Sequence, residues 1–263
     1  KSMTILEGRK AIVTGAAKGM GAAITTTLAR AGADVLLTAR DVAALEPVAT
    51  GVRELGRQAE VIACDVTDES AVETMVAAAR SAFGGRIDIL VNVAGGTGPI
   101  ETPVWKIPAD CFRDVLVTNV MGTFLPLKHV LPVMIEQNYG KVVNIGGTSG
   151  LRGYRYRAGY SSSKWGVRGL TRTAAIDAGE FNVNVNVVCP GIVETPRMRK
   201  LVSEKARVRG WSEEEVDQEY VAEMALKRVT VPQDIAEAVL FLSSDLSQNI
   251  TGQEITVDGG WDV

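Results

Sequence analysis

Two hydrophobic patterns take turns along the chain. Short runs rich in β-branched residues occur at 10–15, 34–38, 59–64, 88–94, 141–146, 184–188 and 253–257. Between them lie longer stretches whose apolar positions recur with helical spacing. Alternation of this kind requires crossovers, so it predicts an α/β fold: a doubly wound parallel sheet, seven strands by this count, with helices on both faces and ligands at the carboxyl ends of the strands. The pattern breaks at 195–230, where helical composition continues without a strand partner; an insertion there reads as a lid over a substrate. No repeat, low-complexity tract or linker divides the rest, so 3–263 is read as one domain. Lys1 and Ser2, ahead of Met3, are read as foreign residues and left out.

Composition narrows the partners. With 263 residues, 46% hydrophobic and 22% charged, the chain can bury a substantial core. A net charge of -3 supplies no basic field, which argues against nucleic acid and against an anionic membrane surface, and there is no membrane-length apolar run or signal peptide. The expected partner is a small molecule. Cys64, Cys111 and Cys189 are scattered and odd in number, which fits buried thiols in a reducing, cytoplasmic setting better than disulfides or zinc.

The single histidine removes several mechanisms. His129 lies in the apolar stretch PLKHVLPVM, where a structural role is expected. A Ser-His-Asp triad would have to use it, and a site built on several histidines is excluded, so no metal is expected. Acid-base chemistry then falls to Tyr, Lys, Asp or Glu. Tyr160 and Lys164, four apart, share one helix face.

After the first run comes TGAAKGMG, in which Gly15, Gly19 and Gly21 lead into a periodic helix. Backbone amides and a helix N-terminus then face whatever sits above them, which makes an anion site, although the spacing is not G-x-G-x-x-G. The end of the second strand should meet an adenosine ribose, where a carboxylate suits a free 2′-hydroxyl and an arginine a 2′-phosphate. Ala39 and Arg40 occupy these positions, with Lys18 as a second cation in the turn. NADP(H) is therefore favoured, with NAD(H) as the alternative.

TGAAKGMG, the NVAG of 92–95, Asn119, Tyr160-x-x-x-Lys164, and PG at 190–191 followed by Thr195 together resemble the classical short-chain dehydrogenase/reductase family, over nearly the whole chain to ITGQEITVDGG. The resemblance implies a Rossmann-type fold, a nicotinamide cofactor and interconversion of a secondary alcohol and a ketone. It implies that Met20 joins the glycine turn and that Asp65 and Val66 border the adenine. Asn92, Ala94 and Gly95 would line the cofactor, with Pro190, Gly191 and Ile192 near Thr195, which would hold the carboxamide. Tyr160 would be the acid or base. Lys164 would bind the nicotinamide ribose and favour the phenolate, and Asn119 would support a water-linked proton path. A homo-oligomer, a tetramer, is also implied; the apolar C-terminal strand and Trp165 would suit its interfaces.

Two positions depart from the family pattern. A serine is expected thirteen residues before the tyrosine, and Gly147 stands there; Thr148 and Ser149 are the nearest substitutes, with Thr148 preferred. Val93 replaces a usual asparagine. The missing serine keeps open a second reading, a dinucleotide-binding sensor or scaffold with weakened chemistry. Arg152, Arg155, Arg157, Arg197 and Arg199 are expected to ring the substrate entrance and favour an anionic substrate. The alternative is that the basic lid segment folds on the acidic 213–223 and neutralises itself, with Ser212 and Glu215 as a capping box.

Overall fold

The computed structural model describes residues 4–261. Seven strands, β1 (Lys10–Thr14), β2 (Asp34–Ala39), β3 (Ala59–Ala63), β4 (Ile89–Asn92), β5 (Gly140–Ile145), β6 (Val183–Pro190) and β7 (Glu254–Val257), form one sheet in the order β3-β2-β1-β4-β5-β6-β7. Every pairing is parallel. The first three helices are α1 (Gly19–Arg30), α2 (Glu46–Glu54) and α3 (Glu69–Ala82). They are followed by α4 (Ala109–Leu116), α5 (Gly122–Glu136) and α6 (Ala158–Gly179), then α7 (Pro196–Arg209), α8 (Glu213–Glu223) and α9 (Pro232–Ser243).

Strand residues alternate between two cores, as the two-residue period of a strand demands. Val13, Leu37 and Val91 point to one side, packed with Ile24 and Leu28 of α1 and Val239 of α9. Ile12, Leu36 and Leu90 point to the other, packed with Met75 of α3 and Val130 of α5. Because both faces are covered, the central strands tolerate almost no exposed residue: β5 and β6 are buried throughout.

The chain winds outward from β1 to β3 and then returns to pair β4 with β1, Thr14 opposite Asn92. That reversal leaves a crevice at the carboxyl ends of β1 and β4, the place where this architecture receives ligands. The fourth strand is shorter than the run at 88–94 suggests. It stops at Asn92 because the N–H groups of Val93 and Ala94 turn to donate to Thr14 Oγ1, at 3.1 and 3.2 Å, instead of extending the ladder.

The segment at 195–230 forms α7 and α8, packed on a small core of Met198, Val202, Ala206 and Val216. Thr195 caps α7 by accepting from the Met198 N–H, and Ser212 with Glu215 makes the expected capping box on α8. Among the described residues no helix is long and apolar enough to cross a membrane.

Candidate active site

The floor of one cleft, of about 520 Å³, is the turn after β1 with the first residues of α1: Gly15, Lys18, Gly19, Met20 and Gly21. Packing there admits only glycine at one point. A Cβ on Gly21 would lie 2.1 Å from the Gly15 carbonyl oxygen, so any side chain would push the turn away from the helix. Arg40, Asp65 and Val66 form one wall, and Ala94, Gly95 and Thr195 the other.

Arg40 is exposed and makes no ion pair among the described residues. Asp41, its neighbour, instead accepts from the Ala43 N–H at 3.0 Å. The Asp65 carboxylate lies below its usual range, held there by the N–H and hydroxyl of Thr67 against a smaller opposing effect of burial, with Arg40 adding attraction. Asn92 lies beneath this cleft and does not line it. Its Nδ2 donates to Asn144 Oδ1 at 2.9 Å and its buried Oδ1 has no partner.

A second cavity, of about 450 Å³, opens over the ends of β5 and β6 and shares Met20, Val93, Thr97, Thr195 and Arg197 with the first. Tyr160 and Lys164, on α6, stand in its wall with Pro190, Gly191 and Ile192. Lys164 Nζ donates to the Ile145 carbonyl at 2.9 Å and lies 5.6 Å from the Tyr160 ring centroid. Burial holds its ammonium below the ordinary lysine range, and the neighbouring Tyr160 partly offsets that.

Asn119 sits, buried, in a single turn of π-helix, Val117–Met121, between α4 and α5. Its Oδ1 accepts from the Gly96 N–H at 2.7 Å, while Nδ2 donates to the Gly96 carbonyl at 3.0 Å and to Ser163 Oγ at 2.8 Å. Ser163 donates in turn to the Tyr160 carbonyl at 2.7 Å. This relay ties the loop after β4 to the turn carrying Tyr160. Ser163 was not singled out from the sequence; its place three residues after Tyr160, on the buried side of the helix, was the available signal.

The position of the absent serine is open. Gly147 has an extended backbone, φ 162° and ψ 155°, and a Cβ there would meet only Tyr160 Oη at 3.7 Å, the Pro190 oxygen at 3.8 Å and Lys164 Cγ at 3.9 Å. Thr148 and Ser149 both border the cavity, and neither hydroxyl has a hydrogen-bond partner among the described residues.

Of the five arginines expected at the entrance, Arg152, Arg155, Arg157 and Arg197 line the cavity. Arg199 does not: it is drawn off to Asp217 of α8, at 2.8 Å, as the self-neutralising alternative requires. Lys205 and Arg209 of α7 likewise pair with Glu219 of α8. His129 lies outside both cavities, its Nε2 2.9 Å from Glu69 Oε1. Cys64 and Cys189 are buried thiols, whereas Cys111, on the outer side of α4, is exposed.

Comparison with known proteins agrees with this fold. The profile of the family described as Enoyl-(Acyl carrier protein) reductase matches residues 15–262. Over 259 residues the chain is 33% identical to the D-beta-hydroxybutyrate dehydrogenase of Rhizobium meliloti (strain 1021), covering 96% of this chain and 98% of that one. It is similar to the structure of NAD+-bound xylitol dehydrogenase, with TM-score 0.93 and 35% identity over 97% of this chain and 99% of that one. It is also similar to that of an actinorhodin polyketide ketoreductase with NADPH, with TM-score 0.91 and 33% identity over 96% and 97% of the two chains.

Proposed function

The chain belongs to the short-chain dehydrogenase/reductase family, and from that premise we propose that it is an oxidoreductase that interconverts a secondary alcohol and a ketone, with Tyr160 as the acid and base. The observation that carries the reading is that the cavity walled by Tyr160 and Lys164 joins the glycine-floored cleft, through Met20, Val93, Thr97, Thr195 and Arg197. The glycine floor fits a dinucleotide, since the space a Cβ would fill at Gly21 is taken up by backbone that must stay close to a phosphate. A bound nicotinamide would supply or accept the hydride. Gly15, Gly19, Met20 and Gly21 would hold the pyrophosphate, Asp65, Val66, Ala94 and Gly95 the adenosine half, and Thr195 with Pro190, Gly191 and Ile192 the carboxamide end.

In oxidation Tyr160 Oη takes the hydroxyl proton, and in reduction it returns a proton to the carbonyl oxygen. The Lys164 ammonium stabilises the phenolate, the form of Tyr160 that precedes oxidation and follows reduction. Asn119 acts as a positioning residue, because its side chain is committed to Gly96 and Ser163 and so acts on the substrate only through them. The substrate oxygen takes its second hydrogen bond from Thr148, which borders the cavity and whose hydroxyl has no partner among the described residues.

NADP(H) is the preferred cofactor. Arg40 and Lys18 line the cleft and make no ion pair among the described residues, and each charge-assisted bond to a 2′-phosphate contributes about 1.5–3 kcal/mol when partly desolvated. Helices α7 and α8 form the substrate lid. The protein assembles as a homotetramer: Trp165 and Ile176 leave α6 apolar on its outer side, 47% and 81% exposed, and light scattering that finds a monomer would refute this.

A panel of secondary alcohols and ketones offered with NADPH, NADP+, NADH and NAD+, followed by nicotinamide absorbance, tests the central reading. Turnover of at least one pair is expected. A tight cofactor complex that turns over nothing would overturn it.

A further inference from the structure

Most charged groups on the wall of the substrate cavity already have partners. Lys205 and Arg209 pair with Glu219, Arg197 Nη2 donates to the Gly95 carbonyl at 2.7 Å, and Lys164 is bound to Ile145. Arg157 differs. It precedes α6, reaches across the Tyr160 ring with its guanidinium carbon 4.6 Å from the centroid, and lines the cavity. Its guanidinium makes no hydrogen bond or ion pair among the described residues, and Nη1 is also shut away from solvent. Glu101 attracts it from a distance but pairs with Arg209, at 3.7 Å.

A sheltered, charged fork loses hydration, and the Tyr160 ring beneath it leaves its N–H groups without hydrogen-bond acceptors. Burial accordingly pulls Arg157 below its ordinary range; Tyr160, Tyr220 and Glu101 oppose that, and Arg197 adds to it. The missing partner is an anion. A single uncompensated guanidinium balances one negative charge, and its planar fork matches the two oxygens of a carboxylate. Arg155 lines the same cavity, also without an ion pair among the described residues, but it stands over Tyr156, 5.7 Å from that ring's centroid, so the guanidinium placed at the Tyr160 ring is that of Arg157.

We infer that the substrate carries a carboxylate, and that Arg157 binds it while the carbinol or carbonyl carbon of the same molecule reaches Tyr160. Because the guanidinium stands over the ring whose hydroxyl exchanges the proton, the two groups of the substrate lie a few bonds apart: a short hydroxy acid and its keto acid. The inference rests on the oxidoreductase reading above for the reaction, but the binding site can be tested without turnover.

Calorimetry of the protein saturated with cofactor, titrated with butyrate and separately with butyramide, compares the charged probe with a neutral one of nearly the same shape. Butyrate should bind roughly 10- to 100-fold more tightly. Arg157→Leu should abolish that difference while leaving butyramide and NADPH binding unchanged, and Arg157→Lys should keep part of it. Equal binding of the two probes by the wild type, or a preference that survives Arg157→Leu, would overturn the site. A wild type that prefers butyrate yet turns over no alcohol or ketone, short hydroxy acids included, would leave the site standing and sink the oxidoreductase reading, whereas turnover confined to uncharged substrates would overturn the assignment of a carboxylate substrate. If Arg157→Leu fails to fold, shown by lost NADPH binding, the lysine variant decides: an undiminished preference for butyrate there would count against recognition through the fork.

Discussion

The two cavities, which meet at Met20, Val93, Thr97, Thr195 and Arg197, are built from different materials. The cleft beside β1 has a floor of backbone, set by glycines whose spacing is written in consecutive residues. The cavity over β5 and β6 is walled by side chains from α6, α7, α8 and the loops after β4 and β5, remote in sequence and brought together only by folding. A backbone site tolerates few substitutions and serves a whole class of ligands, whereas a side-chain site can be rebuilt one residue at a time. The contrast explains how Gly147 can stand where a serine is expected without disturbing the fold: a Cβ added there meets nothing closer than 3.7 Å, against 2.1 Å at Gly21.

The contrast breaks most sharply at Tyr160. Tyr160→Phe should lower turnover by about 10²- to 10⁴-fold and leave the NADPH dissociation constant unchanged, because the phenol belongs to the side-chain cavity alone. Near-normal activity would eliminate the assigned mechanism.

Replaceability within that cavity is tested at the hydroxyl. Thr148→Ala should cost roughly 10²-fold in kcat/KM. Gly147→Ser by itself should change little, yet it should restore activity in the Thr148→Ala background, since the serine hydroxyl would enter beside Tyr160 Oη. Flat rates in all three variants would mean that other groups hold the substrate oxygen.

Gly21→Ala addresses the opposite property. The methyl group must displace backbone, an overpacking cost of about 1–3 kcal/mol, so NADPH affinity should fall roughly tenfold or more with thermal stability falling too. An unchanged dissociation constant would show that the turn has slack.

The smallest effect concerns the cleft's rim, where side chains do enter. The wild type should bind NADPH roughly tenfold more tightly than NADH, and Ala39→Asp combined with Arg40→Leu should reverse that order, as dissociation constants would report. A wild type already preferring NADH would mean that Arg40 and Lys18 do not reach the ribose.

Sequence reading located all seven strands because a buried parallel strand leaves a continuous apolar run, and it located the glycine turn because backbone geometry restricts the residue at each step. It misjudged places where a distant group intervenes. Thr14 ends β4 early by capturing two N–H groups, and Asn144 engages Asn92 below the cleft that it was expected to line. Asp217 draws Arg199 away from the cavity. Each of these outcomes depends on a partner at least eighteen residues away, which local periodicity cannot register.

What the sequence by itself determined is the order of elements, the glycine turn and the Tyr160–Lys164 pair, all consequences of short-range geometry: a two-residue strand period, a helical turn, the steric freedom of glycine. Only the tertiary structure decided which cations are spent and which are left over. Arg157 and Arg199 are alike in sequence, two arginines in basic segments, but α8 supplies a carboxylate to one and folding encloses the other against Tyr160 without a partner. Charge balance inside a cavity is a sum over residues that meet only after the chain has folded, so it is the property most dependent on the fold.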